Sequence, residues 1–180
     1  QPEYNGTQLI HSKVIASYLR QLLRNDLQYA PFRMEGMEQD VREMMEIDTP
    51  QGKLALQIGG TIDRLDSKGD TLRIVDYKTG GTPKTPENIE QLFTPADNRP
   101  NYIFQTFLYA AILCRKQSLK VAPSLLYIHR AASESYSPVI EMGAPRQPKV
   151  PVNNFAFFED EFRERLHGLL QEIFSQEETF

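Results

Sequence analysis

Apolar residues recur at three- and four-residue spacing near the start of the chain, at Leu9, Ile10, Val14, Ile15, Tyr18, Leu19, Leu22 and Leu23. That period predicts an amphipathic helix over residues 7–26, with Pro31 shortly beyond its end. The pattern then becomes strand-like. Residues 38–47 and 53–66 read as strands joined by the turn formers Thr49-Pro50-Gln51-Gly52. A third strand, residues 72–78, completes a three-stranded antiparallel meander and stops at Gly80-Gly81-Thr82-Pro83. Thr85 followed by Pro86 predicts the start of a short helix over residues 86–93. After a polar loop at 94–100, residues 102–115 read as a buried apolar helix and 124–129 as a short interior strand. Residues 131–152, rich in Pro and Ser, predict an irregular insertion with one strand near 139–142. Phe162, Leu166, Leu169, Leu170, Ile173 and Phe174 place a last helix over 159–175. The order predicts an α/β (α+β) fold, a mixed central sheet flanked by helices.

Length and composition add bounds to this picture. With 180 residues, 40% hydrophobic and 24% charged, one domain over 1–180 with a proper core is expected. No apolar run approaches the ~20 residues of a membrane span, and Gln1-Pro2-Glu3-Tyr4 has no signal-peptide character. The expectation is a cytoplasmic domain excised from a larger protein, without membrane contact. Cys114 is the single cysteine, so no internal disulfide and no multi-cysteine zinc or iron–sulfur site can form. Its apolar helical surroundings predict a buried, inert thiol. A net charge of −4 argues against coating nucleic acid by bulk positive charge. It leaves room for an enzyme acting on nucleic acid, because metal-binding acids lower the formal charge.

The chemistry concentrates in the second and third strands. A turn at Ser67-Lys68-Gly69-Asp70 sets Leu65 opposite Leu72 and Asp63 opposite Ile74. Asp76 and Lys78 then share the face of Ile74, and Asp63 and Asp76 become diagonal neighbours about 7–8 Å apart at the backbone. Two acids and a lysine at the end of an apolar face are costly unless compensated, and a divalent cation would compensate them. A surface ion-pair cluster is the competing reading; burial decides between the two. Arg64 points to the opposite face, where a structural salt bridge is expected.

The tripeptide Asp76-Tyr77-Lys78 carries little alone, since Asp-x-Lys arises by chance at roughly 1 position in 300. Its context carries more. Gly60-Thr61-Ile62-Asp63-Arg64-Leu65-Asp66, a hairpin, then Ile74-Val75-Asp76-Tyr77-Lys78-Thr79-Gly80 resembles the PD-(D/E)XK nuclease superfamily, most closely its RecB/AddB-like exonuclease branch. Gln105-Thr106-Phe107-Leu108-Tyr109 is similar to the Gln-x-x-x-Tyr helix motif of that branch. The resemblance implies a restriction-endonuclease-like core and a metal-dependent DNA exonuclease domain from a helicase–nuclease-like repair protein. In that role Asp63, Asp76 and the backbone carbonyl of Tyr77 would bind Mg²⁺ or Mn²⁺, with Glu38 as a further acid. Lys78 would orient the attacking water. Gln105, Tyr109 and Thr79 would contact the substrate. The implied partners are DNA, single-stranded or with free ends, and a helicase subunit or the rest of the parent chain.

Two departures qualify the resemblance. Many relatives hold an iron–sulfur cluster on four cysteines, which one cysteine cannot do. Some use a first-helix histidine preceded by Gly; His11 has Thr at position 7 instead, and reads as a surface residue. The alternative function is therefore a catalytically impaired nuclease-fold module that binds DNA or docks a partner. A hydrolase of small phosphorylated substrates has no phosphate-cradling Gly-rich loop to support it.

Overall fold

The computed structural model describes residues 5–133 and 135–175, so both ends of the expected 1–180 domain and Glu134 of the insertion lie outside the described residues. In chain order the elements are α1 (Gly6–Tyr29), β1 (Arg33–Thr49), β2 (Gly52–Lys68), β3 (Thr71–Lys78), α2 (Asn101–Cys114), β4 (Lys120–Tyr127), β5 (Glu141–Met142), β6 (Val150–Pro151) and α3 (Glu159–Ser175). Short 3-10 turns occupy Glu90–Leu92 and Phe155–Phe157. The main sheet runs β1-β2-β3-β4, antiparallel through the meander and parallel between β3 and β4, which α2 connects. This is the mixed α+β architecture expected of a restriction-endonuclease-like core.

Local chemistry explains most boundaries. A capping box opens α1: Gln8 N–H donates to Asn5 Oδ1 and Asn5 N–H donates to Gln8 Oε1, both at 2.9 Å. Tyr18 and Leu22 pack against Val75, Leu126, Ile128 and Ala131. Leu9, Ile15, Leu19, Leu23 and Leu27 remain exposed, so the apolar stripe of α1 is wider than the face the sheet covers. On the other side of the sheet, Ile62, Leu65, Leu72 and Ile74 meet Phe107, Phe155 and Phe162, all buried in one cluster.

The helix expected at 86–93 does not form; only Glu90–Leu92 coils, as a 3-10 turn. The Asn88 side chain accepts from Gln91 N–H and the Gln91 side chain from Glu87 N–H, which favours a turn over continued helix. The Pro86 carbonyl accepts from Gly143 N–H, outside any helix. β4 begins four residues earlier than expected and ends before His129, because its parallel pairing with β3 runs from Thr71↔Lys120 to Lys78↔Tyr127. The insertion contains β5 paired with β6, plus a bridge from Val139 to Ser124.

The β2–β3 hairpin corrects the expected register. Its turn is two residues long, Gly69-Asp70, because Gly69 takes the left-handed conformation (φ +61°) that tight hairpins require at their first central position. Leu65 therefore faces Ile74 rather than Leu72. A slip of two residues keeps the paired side chains on their predicted faces and brings Asp63 toward Asp76, just past the last pair, Arg64↔Val75.

Two buried charge networks hold helices to this frame. Asp66, fully buried, accepts from Arg64 Nε at 2.9 Å and from Arg73 Nε and Nη2 at 2.9 and 2.8 Å. Arg64 Nη1 continues to Asp26 of α1 at 2.8 Å and to the Tyr77 hydroxyl at 3.1 Å, while Arg73 stacks on Tyr29 at 3.5 Å. Arg64 thus makes the structural salt bridge its orientation implied. Burial disfavours its charge, but the bonds to Asp26 and Tyr77 more than offset this and raise its pKa. In α3, Arg163 donates to Glu43 of β1, to Glu159 and to the Ala111 carbonyl of α2.

Removing the shared acid leaves two buried guanidiniums without their partner. Asp66→Ala is expected to cost about 3–5 kcal/mol, read as a lowered urea midpoint; a loss within error of zero would contradict the network's role. Burial, assisted by Glu159 and partly offset by Arg163, pushes the half-buried Cys114 thiol up to about 11. Its alkylation near pH 8 should be about 100-fold slower in the folded than in the unfolded chain, measured with iodoacetamide. Equal rates would show the thiol to be open.

Candidate active site

The register brings three acids toward one row across the sheet. Met37↔Arg64 and Gln39↔Ile62 bracket Glu38 opposite Asp63, and the β2–β3 pairing ends at Arg64↔Val75, one position short of Asp63 and Asp76. The row is also where strand alternation breaks. Ile62 and Leu65, three apart, lie in one core cluster although a period of two would separate them. Across on β1, Glu38 is in the left-handed region at φ +47°, an uncommon conformation for a residue with a side chain.

Asp63 Oδ2 accepts the Tyr77 amide at 2.8 Å, which ties the β2 acid to β3. Asp76 is 4% exposed, and its Oδ2 is buried without a hydrogen-bond partner. Lys78, on the same strand face, brings Nζ to 2.5 Å from that oxygen but off the direction a hydrogen bond requires. Burial raises the Asp76 pKa; Lys78 counters this and the nearby Asp63 charge adds to it. An ion-pair cluster on an open surface would show neither the burial nor the shift.

On α2, Gln105 Nε2 donates to the Tyr109 hydroxyl one turn away at 2.9 Å. Tyr109 lies over Gly60, where an added Cβ would come within 2.6 Å of its hydroxyl. Gly60 thus lets the helix residue lie directly on the sheet. Thr79 is exposed in the bend after β3.

The structure therefore brings Asp63, Asp76 and Lys78 together and links Gln105 to Tyr109. It does not bring in Glu38, which is exposed. Among the described residues, no group of three or more His, Cys, Asp or Glu side chains gathers closely enough to hold a metal ion. His11 is exposed on α1. The pair still fits a hard divalent cation, which takes one or two carboxylates and completes its shell with carbonyls and water. The buried Oδ2 of Asp76, ion-paired with Lys78 but without a hydrogen bond, is the oxygen such an ion would satisfy.

Tyr102 is a neighbour the sequence reading missed. Its ring centroid lies 4.3 Å from Lys78 Nζ, a cation–π contact. A signal existed: Tyr102, Gln105 and Tyr109 recur at i, i+3 and i+7 on one helix face. Tyr127, buried beside Lys78 in the β3–β4 pairing, had no such signal.

A family model for the PD-(D/E)XK nuclease superfamily matches residues 2–179. No curated protein matches the chain. No helix among the described residues is long and apolar enough to cross a membrane.

Because ionised Asp76 is held above its ordinary pKa by burial, it weakens the metal-free fold at neutral pH, and less so as pH falls through its folded pKa. Asp76→Asn is expected to raise the Tm of the metal-free protein. Mn²⁺ at about 100 times its Kd should add roughly 2.7 kcal/mol to the wild type and far less to the variant. Equal Mn²⁺ shifts in both proteins would remove Asp76 from the site.

Proposed function

We propose that this chain, which belongs to the PD-(D/E)XK nuclease superfamily, hydrolyses phosphodiester bonds of DNA with the help of Mg²⁺ or Mn²⁺. The observation that carries the reading is the Asp63–Asp76 pair, with one buried carboxylate oxygen that lacks a hydrogen bond and has the Lys78 ammonium at its side. Superfamily members generally use divalent metals. Asp63 and Asp76, with the Tyr77 backbone carbonyl, would hold the ion. When bound, it supplies Lewis-acid stabilisation of phosphate charge and lowers the pKa of a water.

The remaining work falls to side chains. Asp63 is fixed by the Tyr77 amide, so its second oxygen presents a set direction. Lys78, gripped between Asp76 and Tyr102, carries an ammonium with donors for the attacking water and a non-bridging phosphate oxygen. The Gln105–Tyr109 pair braces the rim, and Thr79 adds a hydroxyl beside the lysine.

The finer reading is a RecB/AddB-like exonuclease acting on single strands or free ends, as one domain over 1–180 of a larger helicase–nuclease-like repair protein. Spelling of the hairpin and the linked Gln105–Tyr109 pair support the branch. A lone free cysteine accords with a reducing, cytoplasmic setting. A second reading, a module that binds DNA or docks a partner without cleaving, draws on the exposed position of Glu38, apart from the pair.

Wild type with Mn²⁺ should degrade linear DNA, and Asp76→Ala and Lys78→Ala should each lower kcat by at least about 100-fold with unchanged circular dichroism. Cleavage at the wild-type rate by both variants would refute the site assignment. Strands blocked at both ends separate the finer reading: an exonuclease spares them. Calorimetric titration that finds no Mn²⁺ binding at millimolar concentration would favour the binding module.

A further inference from the structure

A groove leads away from Lys78, built from two adjoining cavities of about 330 and 380 Å³. They share Lys84, Ile103 and Tyr127 in their walls, and Tyr127 is the strand partner of Lys78. Tyr102 and Arg99 line the first cavity, and Arg130 the second. Each also holds one acid, Asp97 and Glu141 respectively.

The cations of this groove are without carboxylate partners, as are Arg20, Arg24 and Arg146 elsewhere among the described residues. Arg42, Arg64, Arg73, Arg115, Arg163 and Arg165 are all engaged by carboxylates. Lys84, Arg99 and Arg130 make no salt bridge among the described residues. Lys84 Nζ donates to the carbonyls of Asn98 and Arg99, which fixes its position while leaving its charge uncompensated. Arg99 uses only Nε, on the Asn101 side chain at 2.7 Å. Tyr102, 46% exposed, offers ring surface to the same space while it contacts Lys78. Uncompensated guanidiniums beside an accessible aromatic ring are the two elements that seat a single nucleic-acid strand. Cavities of a few hundred Å³ admit a drug-sized unit such as one nucleotide at a time, not a duplex.

We propose that this groove seats one strand of the substrate beyond the scissile bond, with a base against Tyr102 and phosphates at Arg99 and Arg130. Lys84 holds the wall between the two cavities and adds its charge. The inference rests on the nuclease reading for the direction of the strand, but its binding chemistry is separate from the acid pair. It makes single strands the preferred ligand, chosen by the width of the groove.

Fluorescence anisotropy of a labelled 12-nucleotide DNA strand and its duplex, on the full chain in EDTA, tests this without cleavage. Wild type should prefer the single strand. Arg99→Ala/Arg130→Ala should weaken its binding on the order of 10-fold and flatten the salt dependence by about 1.4 in log–log slope, about 0.7 per lost phosphate contact. Tyr102→Ala should cost on the order of 10-fold, and Arg146→Ala, away from the groove, nothing. Should the double variant lose its thermal transition, Arg130→Gln alone is expected to remove half of the change in slope. Unchanged affinity and slope in the folded groove variants, a preference for duplex, or an equal loss in Arg146→Ala would overturn the proposal. A parallel Mn²⁺ cleavage assay separates the two readings. Cleavage by wild type with undiminished strand binding by the groove variants sinks the groove alone. Groove-dependent binding without any cleavage sinks the nuclease and supports the groove.

Discussion

Asp76 sits in β3 between the antiparallel β2 and the parallel β4, near the charge of Asp63 on one side and opposite Leu125 on the other. Its carboxylate is shielded from water, faces a second acid, and has one oxygen without a hydrogen bond. Such a group is among the costlier things a fold can contain. The neighbouring features reduce that cost or depend on it. Lys78 brings a positive charge to the oxygen, the Tyr77 amide takes up part of the Asp63 charge, and the Tyr102 ring keeps the lysine from swinging into solvent. On the far face of the sheet the arrangement is the reverse. Asp66 is equally buried, but Arg64 and Arg73 bond both its oxygens. One acid is fully satisfied and holds α1; the other is left short and marks the site.

Arg64, Arg73 and Arg163 are consumed by carboxylates and act as fasteners between helix and sheet. Among the described residues, Arg99 and Arg130 along the groove make no salt bridge, which leaves their charge available to the proposed strand. A net charge of −4 conceals this, because the sum counts paired and unpaired cations alike.

Much of this was legible in the chain before any coordinates. The α3 bounds follow from a strong helical period, and the meander from three strand-like runs with marked turns between them. Asp63, Asp76 and Lys78 were within reach because they occupy one hairpin, where spacing along the chain maps onto spacing in the sheet. The exact register was not: Gly69 permits a two-residue turn, and four turn formers in a row do not say which two are used. The period of α1 was plain, yet its apolar residues are too many for one face, so only contacts with Val75 and Leu126 reveal which stripe packs. The short helix at 86–93 was lost to side-chain hydrogen bonds of Asn88 and Gln91 that propensity does not register. Glu38 illustrates the remaining gap. The resemblance singled it out as a further acid, but neither its exposure nor its left-handed backbone has a signal in the sequence.

The two-residue turn has a consequence for how the molecule assembles. Asp63 and Asp76 are joined by a short, tightly closed stretch of chain, whereas Lys78 and Tyr127 pair across an intervening loop and the whole of α2. Local closures are entropically cheaper and form sooner than distant ones. The acid pair therefore takes shape in a hairpin still open to water, and Asp76 loses its hydration only when β4 docks alongside. The penalty for burying it falls on that late step. A cation that binds the pair beforehand would ease the closing of the sheet, so an ion recruited for the proposed chemistry would also act on the pace of folding.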